Sequence, residues 1–284
     1  MKIVVIGSKG QLALQFLELK TQNHNWNFLS KNSLDVTKKE NVIGYFTSNS
    51  YDIIINCSGF TDVEKAEQNH KAAYELNEIA VQNLIIACET SNSKLIHFST
   101  DYVFDGASKI PYKETDLTLP LNVYGKSKKA GESLILKSNI NYLIIRSSWI
   151  YSSFGDNFVK KLLNLSKEKH KIEVVDDQIG NPTFAYDLVK VCISIINNKN
   201  YKWGNPGQIL HYSNEGECSW YEFAAEIFRL KGINIQLKRR NSNQINLLAK
   251  RPKYSGLDKT KIKSILNLQI PRWEKSLSKM INKL

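Results

Sequence analysis

The chain is poor in cysteine and histidine and has no long apolar run. Four cysteines (Cys57, Cys88, Cys192 and Cys218) among 284 residues are too sparse and scattered for a disulfide framework or a zinc knuckle. Each sits in apolar surroundings, as a small buried hydrophobe does. The five histidines include no His-Glu-x-x-His on a helix and no other metal-ligand spacing, so no metal is expected. Apolar stretches such as Ile53–Ile55 and Leu143–Ile145 fall far short of the ~20 residues of a membrane helix. The opening Met1-Lys2-Ile3-Val4-Val5-Ile6-Gly7 lacks the longer apolar region and small-residue cleavage site of a secretory signal. These absences point to a cytoplasmic protein without a membrane partner.

Hydrophobic residues make up 42% and charged residues 23% of the chain, ordinary globular usage that excludes a disordered or collagenous chain. The length allows one large domain or two unequal ones, at ~100–200 residues each. The net charge of +12 is unevenly placed. Residues 1–227 hold 24 Lys/Arg against 25 Asp/Glu, whereas residues 228–284 hold 15 against 2. The clusters Arg239-Arg240 and Lys250-Arg251-Pro252-Lys253 are short and carry no interleaved aromatic stacking motif. That argues against nucleic acid and leaves a phosphate-bearing ligand or a solvated basic face.

Short apolar runs alternate with helical patterns. Strands are expected at Lys2–Ile6, Trp26–Leu29, Tyr51–Asn56, Lys94–Ser99 and Tyr142–Ser147. Helices are expected at Gln11–Leu19, Lys38–Thr47, His70–Thr90 and Val123–Leu136. This order predicts an α/β fold, a doubly wound parallel sheet of Rossmann type covered on both faces. Its ligand crevice then lies at the carboxyl ends of the strands. Residues 1–150 read as a dinucleotide-binding domain, to which later segments could return. The rhythm loosens beyond, with helices at Asp156–His170, Thr183–Ile196 and Ser219–Leu230, a strand at Lys171–Val175, and only broken patterning from Asn234 to Ser255. Residues 151–284 therefore read as mainly a smaller, mixed substrate lobe.

The first strand runs into Gly7-Ser8-Lys9-Gly10-Gln11-Leu12-Ala13, a G-x-x-G-x-x-A loop opening a helix. Gly7 permits the tight turn, Gly10 lets backbone approach a pyrophosphate, and Ala13 allows close helix–strand packing. The helix N-terminus adds unpaired N–H groups and the positive end of a dipole. The second strand ends Phe28-Leu29-Ser30-Lys31, without the carboxylate that binds ribose hydroxyls in NAD sites. Lys9 and Lys31 would attract a 2′-phosphate, which favours NADPH and leaves NADH as the alternative.

Tyr124 and Lys128 form a Tyr-x-x-x-Lys pair near the start of a helix, on one face. With 13 Tyr, chance alone supplies about one or two such pairs. The second, Tyr186/Lys190, reads as structural. Context sets the first apart, because Ser99-Thr100-Asp101 stands at the carboxyl end of a central strand. Hydride reduction of a ketone makes an alkoxide that must be protonated, and a tyrosine with a pKa of ~10 is a poor acid near neutrality. A lysine ammonium ~4 Å away would contribute ~4 kcal/mol at an effective dielectric of ~20, or about three pKa units. Thr100 would donate to the same carbonyl oxygen, and Lys128 would also bind the nicotinamide ribose.

Taken together, Gly7–Gln11, Asn56–Glu67, Asn77, Ser99–Asp105, Pro120–Lys128, Arg146–Trp149, Asp177–Thr183, Arg251-Pro252, Leu257-Asp258 and Trp273 resemble the dTDP-4-dehydrorhamnose reductases, a family of extended short-chain dehydrogenase/reductases. The resemblance implies a catalytic triad of Thr100, Tyr124 and Lys128. It implies cofactor contacts at Gln11, Leu12, Asp35, Val36, Gly59, Phe60 and Thr61, and sugar-nucleotide contacts at Thr100, Asp101 and Trp149. The implied reaction reduces the C4 keto group of dTDP-4-dehydro-6-deoxy-L-mannose to dTDP-L-rhamnose. Arg251 is then a candidate contact for the substrate diphosphate, or else a salt bridge closing the lobe. Some members bind Mg²⁺ between subunits through carboxylates where this chain has Gln15 and Tyr186, although Asp187 lies alongside. A metal-bridged dimer is therefore not expected, and a monomer or a homodimer remains open. A reductase of another nucleotide-linked 4-keto-6-deoxy sugar and a non-catalytic NADP-binding regulatory subunit are the competing readings.

Overall fold

The computed structural model of the chain describes residues 1–204 and 207–284. The first half runs β1 (Lys2–Ile6), α1 (Gln11–Leu19), β2 (Asn25–Leu29), α2 (Lys39–Ser48), β3 (Ile53–Asn56), α3 (Val63–Gln68), α4 (His70–Tyr74), α5 (Ala80–Ser91), β4 (Lys94–Thr100), α6 (Val123–Lys137) and β5 (Tyr142–Ser147). The second half runs β6 (Ile150–Tyr151), α7 (Phe158–Glu168), β7 (Lys171–Val175), β8 (Ile179–Gly180), β9 (Thr183–Phe184), α8 (Ala185–Asn197), β10 (Gln208–His211), β11 (Cys218–Ser219), α9 (Trp220–Lys231), β12 (Gln236–Arg240), α10 (Thr260–Leu266) and α11 (Trp273–Ile281).

Six strands form one sheet in the order β10-β5-β4-β3-β1-β2, and every pairing in it is parallel. This is the doubly wound α/β sheet expected from the strand–helix alternation. Because side chains alternate across a strand, the continuous apolar runs supply both faces. Ile3, Val5, Ile53, Ile55, Leu143 and Ile145 pack on one side with Phe16 of α1 and Leu188, Cys192 and Ile195 of α8. Val4, Ile6, Ile54, Leu95 and Ile144 pack on the other with Val42 of α2, Leu84 of α5 and Ile135 of α6. A third apolar cluster joins Tyr151, Val159, Phe184, Phe223, Ile227, Trp273 and Leu277, which come from α7, α9, α11 and the short strands near them.

The structure departs from the sequence reading in several places, and α3, α10, α11 and the short strands β6, β8 and β11 had no expected counterpart. The helical pattern over His70–Thr90 is not one helix: a π turn at Glu75–Ile79 separates α4 from α5. The segment read as helix from Thr183 begins with β9, paired to β6, and turns helical only at Ala185. Gln208–His211, given no element from sequence, is the edge strand beside β5. Within the weakly patterned Asn234–Ser255 stretch, β12 pairs in parallel with β7. At α9, by contrast, the termini follow from local chemistry. Ser219 and Glu222 form a reciprocal capping box, and Gly232 closes the helix at φ +63.

Two glycines decide where α6 lies. A Cβ on Gly125 would stand 2.2 Å from the Tyr102 carbonyl oxygen, and one on Gly131 would stand 2.2 Å from that of Asn77. Without those side chains α6 seats directly on the backbone of the β4–α6 connection and of the π turn. Asn122 caps its start by accepting from Gly125 N at 2.8 Å, and Glu67 accepts from Val123 N at 2.8 Å.

Candidate active site

The turn between β1 and α1 forms one wall of a cavity of about 450 Å³. Gly7 adopts φ +82, and a Cβ there would sit 2.8 Å from Ser58 N, so no other residue fits. Gly10 is the N-cap of α1 and brings no side-chain acceptor. The first N–H groups of α1 are therefore free of a side-chain cap, as an anion site requires. Lys9, Ser30, Lys31, Asp35 and Val36 line the cavity along one edge, and Cys57, Ser58, Gly59 and Phe60 line it along another. Asp35 is a lining carboxylate anchored through one oxygen: its Oδ1 accepts from Thr37 N at 3.0 Å and from Thr37 Oγ1 at 2.7 Å. These bonds, with the charges of Lys31 and Lys38, hold its carboxyl below the usual range against the opposing effect of burial. A glycine cradle, a helix N-terminus and two lysines at the cavity edge, Lys31 beside Asp35, fit a phosphorylated dinucleotide.

Three of the cofactor positions implied by resemblance are not among the lining residues of the cavity, although Gln11 and Leu12 carry the first N–H groups of α1. Gln11 Oε1 accepts from Ser152 Oγ at 3.0 Å and Asn157 Nδ2 at 3.1 Å, tying α1 to the loop before α7. Leu12 packs against the apolar cluster beneath the sheet. Thr61 is exposed and does not line the cavity.

Tyr124 and Lys128 leave α6 on the face that meets β4. Lys128 is buried, and its Nζ donates to the Phe98 carbonyl at 2.7 Å and lies 3.4 Å from His97 Nε2. A Cβ on Gly59 would stand 3.9 Å from that Nζ, so the lysine head abuts the cavity wall. Burial pulls the Lys128 pKa down to about 8, with Glu132 opposing. The Tyr124 ring meets Tyr102 edge-to-face, centroids 5.9 Å apart.

The expected lowering of the phenol is not found. Burial raises the Tyr124 pKa above its ordinary value, and Asp101 and Tyr102 push it the same way, against a hydrogen bond with Thr100. The Lys128 head meets Phe98 and His97, and burial is the largest influence on the phenol. Thr100 Oγ1 also donates to Asp101 Oδ1 at 3.0 Å and accepts from Tyr102 N at 3.1 Å. Asp101 itself is buried with Oδ2 unpartnered, and burial raises its carboxyl to about 6 despite hydrogen bonds from Ser255 and Thr100.

Trp149 holds φ +47, a left-handed conformation that costs a bulky residue on the order of 1–3 kcal/mol. Its ring stacks on Trp220 with centroids 3.5 Å apart and 9° between planes. On the edge facing Gly180, a Cβ would come within 2.9 Å of that ring. Arg251 pairs with Glu64 at 3.3 Å and reaches Tyr102, whose hydroxyl burial pushes up to about 12 against the pull of that guanidinium. The salt-bridge alternative for Arg251 is thus the arrangement present, though Arg251 Nε has no partner.

Asn77 is a site residue that sequence chemistry alone does not rank. It sits inside the π turn, donates to the Phe60 carbonyl at 3.0 Å and to Ser127 Oγ at 2.9 Å, and accepts from Phe60 N at 2.9 Å. One side chain thereby holds the cavity wall at Phe60 against the helix that carries Tyr124 and Lys128. A buried Asn in a helical pattern was the available signal, since buried amides need partners. Glu64, Trp220 and Ser255 were also missed. Among the described residues no cluster of three or more His, Cys, Asp or Glu could hold a metal ion. On α1, Gln15 donates to Glu18 and Lys283 pairs with Glu18 at 2.9 Å.

Residues 1–284 match the model of the RmlD substrate binding domain family. The chain is similar to a dTDP-4-dehydrorhamnose reductase of Aggregatibacter actinomycetemcomitans, at 38% identity over 97% of each chain. Among solved structures it is similar to a dTDP-4-dehydrorhamnose reductase of Clostridium acetobutylicum, with TM-score 0.92 and 36% identity over 100% of this chain and 99% of the other. It is also similar to a dTDP-4-dehydrorhamnose reductase of Bacillus anthracis in complex with NADP, with TM-score 0.94, 34% identity and the same coverage.

Proposed function

The chain belongs to the dTDP-4-dehydrorhamnose reductase family, and from that premise we propose that it reduces the C4 ketone of dTDP-4-dehydro-6-deoxy-L-mannose with NADPH, Tyr124 supplying the proton. The observation that supports this reading is the nearness of two parts: Gly59 lines the cavity of the glycine turn, and the head of Lys128 lies behind it, 3.9 Å from where a Cβ on Gly59 would stand. Gly7, Lys9, Gly10, Lys31, Val36 and Phe60 hold the dinucleotide in that reading. When bound, NADPH supplies the hydride.

This chain's own residues do the rest. The raised pKa of Tyr124 keeps its proton on the phenol at neutral pH and makes it a weak acid, so transfer occurs only as hydride addition turns the ketone oxygen into a far more basic alkoxide. Thr100 donates to the developing oxyanion or to the phenol, whichever carries more charge, because its single O–H can swing between them. Lys128, one helical turn from Tyr124, sets the local charge and orients the cofactor ribose. Trp149, pinned by Trp220, forms a flat wall for the sugar, and Asp101 with Ser255 offers polar partners to its hydroxyls. We assign residues 1–150 to cofactor binding, with α8 and β10 packing on the same sheet, and 151–284 mainly to the sugar nucleotide. No helix among the described residues is long and apolar enough to cross a membrane, and a cytoplasmic place fits a diffusible cofactor and substrate.

The test is a panel of dTDP-, UDP- and GDP-linked 4-keto-6-deoxy sugars, followed by NADPH absorbance. Turnover with the dTDP-linked L-sugar at the highest kcat/KM is expected. Preference for another nucleotide or sugar would move the assignment to a related reductase, and turnover with none would favour a regulatory NADP-binding subunit.

A further inference from the structure

Residues 248–255 run as a strap from α3 to β8, and contacts of its backbone fix it along its length. Leu248 N donates at 3.0 Å to Glu64 Oε2, in the first turn of α3. Asn122, the N-cap of α6, donates through Nδ2 to the Lys250 carbonyl at 2.8 Å. Pro252 lies so close to Gly106 that a Cβ on that glycine would stand 2.6 Å from the proline Cα. Ile179 N donates to the Lys253 carbonyl at 2.8 Å, and Ser255 N donates to the Ile179 carbonyl at 2.9 Å. The root of Arg251 is therefore held between Lys250 and Pro252 without help from its own side chain. Its guanidinium is less settled. One arm, Nη2, meets Glu64 Oε1 at 3.3 Å, and the group reaches the Tyr102 hydroxyl, whose ring lies against that of Tyr124. Nε is buried and has no acceptor among the described residues. Arg146 shows the contrast, since it grips Glu132 with Nε and Nη2 at 2.9 and 2.7 Å.

We infer that Glu64 is a stand-in counter-charge for Arg251, whose guanidinium leaves it for the diphosphate of the sugar nucleotide when that substrate binds. This rests on the reading of the site as a sugar-nucleotide reductase and adds Glu64 to it as a positioning residue. Buried N–H groups are paired in native structures, so an orphaned Nε beside one loose contact marks a guanidinium made for a further acceptor. A planar guanidinium offers Nε and an Nη side by side, a spacing that two phosphate oxygens match. A diphosphate carries more negative charge than one carboxylate and can take both donors. Glu64 keeps Leu248 N as a partner after the exchange, so its carboxylate is not stranded. The Arg251 and Glu64 side chains are 25% and 29% exposed, and a pair so open to water is weakly held, which suits a contact that must be given up. Ser255, four residues along the strap, bonds Asp101, so one segment carries both the phosphate anchor and a polar partner for the sugar.

Calorimetric titration of the full-length protein with dTDP, a nucleoside diphosphate without the sugar, reads the exchange without turnover. Glu64→Gln keeps an acceptor for Leu248 N and removes the competing charge, so dTDP should bind about two- to fivefold more tightly. Arg251→Gln should weaken dTDP binding roughly ten- to a hundredfold. In the double variant the gain from Glu64→Gln should vanish, because Glu64 acts only through Arg251. NADPH affinity should not change in any of the three; a change there in place of one for dTDP would give Arg251 to the cofactor and overturn the proposal. Weaker or unaltered dTDP binding in Glu64→Gln, or a gain that persists without Arg251, marks Glu64 as scaffold and refutes the inference. Failure of dTDP to bind the unaltered protein refutes it as well. The reductase reading is judged separately, by NADPH oxidation with the 4-keto sugar nucleotide, and stands or falls on that rate.

Discussion

Replacing Gly131 with Ala pits two opposite effects against each other. In an unencumbered helix interior, Gly→Ala stabilises by about 1 kcal/mol, because alanine gives up less backbone freedom on folding. At position 131 the new methyl would stand 2.2 Å from the Asn77 carbonyl oxygen and 3.3 Å from Val81 Cγ2. An ordinary contact needs ~3.5 Å, so α6 and the π turn must part by roughly 1 Å. Both sides of the contact are buried backbone, which leaves no flexible side chain to move aside. Overpacking of this kind costs about 1–3 kcal/mol, enough to cancel the helix gain and reverse its sign. The same movement pulls Asn77 from Ser127 and Phe60, and with it the register between Lys128 and the cavity wall. A misplacement of about 1 Å at reacting groups costs on the order of 10²-fold in rate. Urea denaturation and NADPH oxidation on one preparation measure both quantities. Lower stability and a kcat reduced by ten- to a hundredfold are expected. A variant as stable as the parent or more so, with unchanged kcat, would refute the claim that this contact places the catalytic helix.

Two further substitutions test electrostatic claims. Asp101 carries a folded-state pKa raised from 3.8 to about 6 by burial. The folded protein thus binds more protons than the unfolded chain between those values, and stability falls as pH rises through that window and is flat above it. Two units correspond to about 3 kcal/mol, so Asp101→Asn should gain on the parent by up to that amount between pH 4 and 7 in denaturant titrations; a difference constant with pH would contradict the assignment. Lys31→Ala removes a cation from the cavity edge, and the ratio of kcat/KM for NADPH over NADH should fall about tenfold, the equivalent of about 1.4 kcal/mol. An unchanged ratio would show that Lys31 does not read the 2′-phosphate.

The sheet was legible because its strands carry their own boundaries. β1 and β5 are apolar runs with sharp polar or glycine ends, and the structure starts and stops them at the expected residues. β10 was not legible: Gln208-Ile209-Leu210-His211 has two polar ends and two apolar residues, and it becomes a strand only because β5 offers an open edge. The π turn was hidden for a different reason. One extra residue per turn scarcely disturbs apolar spacing across Glu75–Ile79, so the segment still reads as helix. Within the site, Tyr-x-x-x-Lys spacing placed both side chains on one face of α6, but spacing says nothing about what each head meets across the interface. Lys128 turns to the Phe98 carbonyl and His97, and the phenol is left with burial as its dominant influence. Arg251 and Glu64 stand 187 residues apart, a pairing that only the folded chain reveals.

The central claim is that the phenol of residue 124 protonates the sugar oxygen as hydride arrives. Tyr124→Phe isolates it, because the substitution deletes one oxygen and leaves the ring against Tyr102. Steady-state NADPH oxidation paired with NADPH binding by fluorescence should show kcat lowered by about 10²–10⁴-fold and cofactor affinity within about twofold of the parent. A phenylalanine enzyme that turns over at the parent rate would show that the proton comes from elsewhere.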